Sequence, residues 1–106
     1  MGDTILLSLE LPDLDAYHEL KSDPRQPSGV SVWMAPQGAG HGGPLIDVWA
    51  VVEFGLNVSG SLVAAWLYDH FRKRKQTKLR IQRKEITLDQ GVIQKVIEEE
   101  IRVSRK

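Results

Sequence analysis

No cysteine occurs in the 106 residues, which excludes a disulfide framework, a thiolate zinc site and a cysteine redox centre. The N-terminus lacks the charged, apolar and small-residue pattern of a cleavable signal, so a cytoplasmic setting is the expectation. Acidic and basic residues number 14 each, and a formal charge of zero gives the whole chain no bias toward nucleic acid or an anionic surface. The most apolar stretch, 45–75, is uncharged only over 54–68, between Glu53 and Asp69. A bilayer span needs about 20 apolar residues, and starting at Leu45 would bury Asp47 and Glu53 at roughly 2–3 kcal/mol each. Membrane attachment therefore ranks behind a core helix.

Chemical motifs are equally scarce. The loop QGAGHGGP, within 36–44, holds four glycines but neither the lysine of a phosphate-binding loop nor the spacing of a dinucleotide fingerprint, and it reads as a connector. His41 within it has no second histidine or carboxylate at metal-ligand spacing. Ser8, Ser59 and Ser61 taken with His18, His41 and His70 form no recognisable nucleophile motif, and the carboxylates show no paired spacing. No catalytic residue, metal site or cofactor is expected.

What is present is a split in charge and a set of clear periodicities. Through Asp69 nine acidic residues face two basic ones; from His70 onward five face twelve. The two halves are thus complementary. Eight cations fall within 72–84: Arg72, Lys73, Arg74, Lys75, Lys78, Arg80, Arg83 and Lys84. They are candidate anion-binding residues for phosphate backbone or anionic lipid; as a solvated helix end and strand face they would need no ligand.

Thr4–Leu11 alternates, with Ile5, Leu7, Leu9 and Leu11 on one face, as a strand does. Asp13 then offers a cap to a short helix carrying Leu14, Tyr17 and Leu20, which must stop before Pro24. Val30–Met34 is a second strand. Over 45–75 the polar residues Glu53, Asn57, Ser61, Tyr68 and Arg72 recur at threes and fours, so the spacing predicts one long helix, apolar over more than half its circumference. Val48, Val52, Gly55, Ser59, Val63 and Trp66 line its far side. Gly55 with Ser59, and Gly60 with Ala64, form small pairs that would admit a second backbone. Val52, Gly55, Ser59, Gly60, Val63 and Trp66 are accordingly the candidate helix-packing and oligomer residues. Strands over 77–82 and 85–88 predict a hairpin turning at Arg83 and Lys84, although neither suits positive φ. Asp89 caps a last helix with a stripe of Val92, Ile93, Val96, Ile97 and Ile101; Glu98, Glu99 and Glu100 form its solvated side.

These elements predict a single α+β domain over residues 1–106. In it a sheet of three to four strands carries a long central helix and two shorter ones, in the order β-α-β-α-β-β-α. A ferredoxin-like two-layer sandwich is one arrangement that fits, and a homo-oligomer would cover the wide apolar helix.

The strand ILLSLEL, the short helix with DAYHEL, VSVWMAP, the glycine-rich loop, the helix end AAWLYDHFRKRK and the closing KLRIQRKEITL together resemble the effector-associated constant component family over nearly the whole chain. Gly60, Ala65, Trp66, Leu67 and the cations of 72–75 carry the resemblance most directly; the family's usual hairpin glycine is absent, with Arg83 and Lys84 in the turn. The resemblance implies a small non-catalytic component of bacterial conflict or defence systems that associates with variable effectors. A homo-oligomeric adaptor or regulator binding an effector protein is therefore the leading expectation. The alternatives are an immunity protein that neutralises a toxin and a sequence-independent nucleic-acid or anionic-surface binder using 72–84.

Overall fold

The computed structural model describes residues 4–35 and 48–104, so the glycine-rich connector and His41 lie outside the described residues. Eight elements follow in the order β1 (Thr4–Leu11), α1 (Leu14–Lys21), β2 (Val30–Met34), β3 (Val48–Gly55), α2 (Gly60–Lys73), β4 (Lys78–Ile81), β5 (Lys84–Thr87) and α3 (Gln90–Ser104). The class is α+β. Its sheet has five antiparallel strands in the order β2-β3-β1-β4-β5.

The main departure from the sequence-based expectation of one long helix over 45–75 is at 48–75, where a strand and a helix stand in its place; 45–47 lie outside the described residues. Val48, Val51 and Val52 are β-branched and favour extended backbone, and 48–55 pairs along its whole length with β1, Thr4 opposite Gly55 and Leu11 opposite Val48. A turn closed by Val58 N–H to the Gly55 carbonyl at 3.0 Å then leads to α2. Val52 and Gly55 are thus strand residues, Ser59 is the exposed N-cap of α2, and the expected Gly55–Ser59 notch does not form. Gly60 does sit at a close approach, but with α3 of the same chain: a Cβ there would meet Ile97 Cγ2 at 3.1 Å. Val63 and Trp66 are buried in the intramolecular core.

One face of the sheet carries that core. Ile5, Leu7, Leu9 and Leu11 of β1, Ala50, Val52 and Phe54 of β3, and Leu79 and Ile81 of β4 pack against Tyr17 and Leu20 of α1, Leu67 and Phe71 of α2, and Ile93 and Ile97 of α3. All three helices therefore lie on the same side. α1 is started by Asp13, whose carboxylate accepts the Ala16 N–H at 2.8 Å. α2 ends in a Schellman motif on a non-glycine residue: Lys75 has φ 64°, its N–H reaches Arg72 O at 2.9 Å, and Gln76 N–H reaches Phe71 O at 3.2 Å.

The β4–β5 hairpin turns at Gln82 and Arg83, one residue earlier than expected, with Ile81 opposite Lys84. Both turn residues adopt positive φ, 53° and 65°, as a type I′ turn requires. Gln82 is held there through Ser8: its side-chain Oε1 accepts the Ser8 N–H at 2.7 Å and its backbone N–H donates to Ser8 O at 2.9 Å. Arg83 has no such tie among the described residues. Arg83→Gly should therefore raise unfolding stability by about 0.5–1 kcal/mol, read from a urea midpoint, by removing the cost of a left-handed side-chain residue.

Candidate interaction surface

None of the described helices lies over the other face of the sheet. Leu6, Ser8 and Glu10 of β1 alternate out of the core, as do Trp49, Val51 and Glu53 of β3 and Ser31 and Trp33 of β2. Across the strands Ser8, Val51 and Trp33 share one row, and Leu6, Glu53 and Ser31 the next. Leu6 is 49% exposed and Trp33 36%, while Val51, between its neighbours, is only 7% exposed although it lies outside the helical core. Trp33 donates its indole N–H to Glu53 Oε1 at 2.9 Å, which lays the ring along the sheet. An apolar patch of two tryptophans, a leucine and a valine results. Its rim is polar: Glu10 with Arg80 at 2.8 Å and Glu85 with Lys78 at 3.3 Å. Sequence periodicity located Leu6, Ser8 and Glu10 on the outer face of β1. It does not place Trp49 and Val51 there, because the apolar spacing of their segment fits a helix as well.

The candidate anion-binding residues are largely engaged within the chain. Arg74 pairs with Glu19, Arg80 with Glu10, Lys78 with Glu85, and Arg72 and Lys73 with Asp69. The first two pairs join the acidic first half to the basic second half, so the charge split serves the fold. Lys75, Arg83 and Lys84 have no carboxylate partner among the described residues. They sit at the α2 terminus and the hairpin turn, so the eight cations form no single surface free for phosphate.

A buried polar cluster joins the loop after α1 to α2. His70 Nδ1 lies 2.8 Å from Asp23 Oδ2, and an ionised carboxylate can only accept, so the Nδ1 proton is donated to it. Asp23 also accepts the Arg25 amide at 2.8 Å and the Arg25 guanidinium at 3.3 and 3.4 Å, and Arg25 in turn pairs with Asp69. Burial pushes the Asp23 carboxyl upward, but the Arg25 amide, the His70 and Arg25 side-chain hydrogen bonds and the Arg25 charge outweigh it and hold the pKa down to about 2. Sequence reading did not single out this pair, whose members stand 47 positions apart. It has the form of a base and its orienting carboxylate, but the other imidazole nitrogen, Nε2, is buried with no hydrogen-bond partner among the described residues. No hydroxyl is bonded to it, and the cluster acts as a tie between loop and helix.

Among the described residues no group of three histidine or acidic side chains converges as a metal site, and no helix is long and apolar enough to cross a membrane. No protein-family model, curated protein or solved structure matches this chain.

Proposed function

We propose that the protein is a non-catalytic interaction module, an adaptor or regulator that associates with an effector protein of a bacterial conflict or defence system and acts as a homo-oligomer. The observation that carries this reading is the sheet face that no described helix covers, with Leu6 and Trp33 exposed on it beside Trp49 and Val51 and paired charges at its rim. Apolar centres ringed by polar groups, with tryptophan prominent, are the composition of protein-binding surfaces. The sequence resemblance to effector-associated constant components supplies the class of partner. Nucleic-acid binding is less well supported, because five of the eight cations at 72–84 are ion-paired within the chain, Arg72 and Lys73 sharing Asp69 with Arg25, and the other three are not gathered on one surface.

The test is co-purification with the proteins encoded by neighbouring genes, compared between the wild-type chain and Leu6→Arg. Leu6 is half exposed, so the substitution should leave thermal stability nearly unchanged while weakening capture at least tenfold. Equal capture by both chains, or none by either, would overturn the reading.

A further inference from the structure

The two edges of the sheet are not alike. β5, with the sequence KEIT, presents Lys84 and Glu85, the charges with which natural edge strands discourage pairing. β2, VSVWM, has no charge and no proline, and it carries two of the exposed large hydrophobic residues, Trp33 at 36% and Met34 at 38%.

The hydrogen-bond phase of β2 identifies which of its backbone groups are free. Ala35 N–H bonds Trp49 O at 2.8 Å, so by the alternation of an antiparallel ladder Trp33 and Ser31 also point their backbone groups at β3. Val30, Val32 and Met34 must then point outward. Val30 bears this out: its N–H bonds Pro27 O at 3.2 Å and its carbonyl accepts Gln26 Nε2 at 2.5 Å, so the preceding loop occupies that end of the edge. Val32 and Met34 keep their outward N–H and C=O groups without partners among the described residues.

We propose that β2 pairs antiparallel with β2 of a second copy about a two-fold axis at Trp33, joining the two sheets into one of ten strands. The proposal rests on the homo-oligomer reading above and adds its interface. The register follows from the free groups. With Val32 opposite the partner's Met34 and Met34 opposite the partner's Val32, all free donors and acceptors of both strands are used in four hydrogen bonds. Moving the axis to Val32 would require Val30, which is already bonded; moving it to Met34 would oppose Val32 to Pro36, which has no N–H. In the chosen register Trp33 faces the partner's Trp33 at a non-hydrogen-bonded position, where Cα atoms are about 4.5 Å apart. The aromatic pair then stacks on the open face, and Val32 packs on the partner's Met34 on the other, covering both exposed side chains. A foreign strand could meet the same backbone groups, but only a second copy brings this symmetric match from the chain itself.

The absence of cysteine makes the test direct. Trp33→Cys gives a single-cysteine chain whose two sulfurs meet across the axis at disulfide distance. Ser31→Cys lies on the same face, but opposite the partner's residue 35. Air oxidation should cross-link Trp33→Cys at least tenfold faster than Ser31→Cys. Light scattering should show a wild-type dimer, and Met34→Pro a monomer with unchanged far-UV circular dichroism, because the lost N–H faces outward and the β2–β3 ladder is untouched. Equal cross-linking rates, a dimeric Met34→Pro, or a monomeric wild-type chain would each overturn the proposal. A monomer that still captures the effector would sink this interface and the homo-oligomer part of the reading while effector binding stands, whereas a dimer that captures none would sink only effector binding.

Discussion

Phe54→Ala is expected to lower the unfolding free energy by about 3–5 kcal/mol. The ring is 1% exposed and lies in the inner row of β3, opposite Ile5 of β1 and Val30 of β2. Strands on both sides and a helical layer above leave little room for the site to collapse, so the lost transfer energy and the cavity both count. Against a total of roughly 5–15 kcal/mol for a domain, the urea midpoint should fall by about a fifth or more. Leu62→Ala, at a position 58% exposed on α2, is the control, with a change within about 0.5 kcal/mol. A loss near 1 kcal/mol at Phe54 would mean that the ring is not enclosed between strands.

The strand that holds Phe54 also shows why the sequence pattern points to a long helix. A strand with one exposed face alternates cleanly, as β1 does, and periodicity found β1 to the residue. β3 has Val48, Ala50, Val52 and Phe54 turned to the core, and Trp49 and Val51 on the other face, so it reads as a continuous apolar run that helical and extended templates fit equally. Chance then placed Val52, Gly55 and Ser59 at helical intervals. The chemistry pointing the other way was the cluster of β-branched valines and the turn after Gly55.

The surface was less legible than the fold for a different reason. Whether β2 is an edge depends on strand order, and the periodicity of VSVWM is the same at an edge or in the middle. The partners of the cations are equally non-local: Glu19 meets Arg74 across 55 positions and Glu10 meets Arg80 across 70. Composition does record that the two halves complement each other, but which carboxylate takes which cation is decided only when α1 packs beside the end of α2 and β4 pairs with β1. The hairpin lies one residue out of the expected register, because no glycine marks the turn and the positive φ of Gln82 is supported by its side chain on β1.

Asp23→Ala is the second substitution expected to have a large effect, about 3 kcal/mol, since it strands the His70 Nδ1–H and removes four hydrogen bonds and a counter-charge around Arg25 at once. The Asp23 side chain is only 4% exposed, so water cannot replace those bonds without opening the loop. If the cost is that of the unpaired imidazole, adding His70→Leu should recover part of it, and the double variant will be more stable than the sum of the singles predicts. The same cluster sets an acid limb. Because the folded carboxyl titrates at about 2, below its ordinary value of 3.8, the unfolded chain takes up the proton first as pH falls. The contribution of Asp23 is therefore complete above about pH 4 and is lost as pH approaches 2, a change of about 2 kcal/mol. Urea midpoints measured between pH 6 and pH 2 should show this decline in the wild-type chain and a flatter profile in Asp23→Ala; parallel profiles would mean that other carboxylates carry the acid sensitivity.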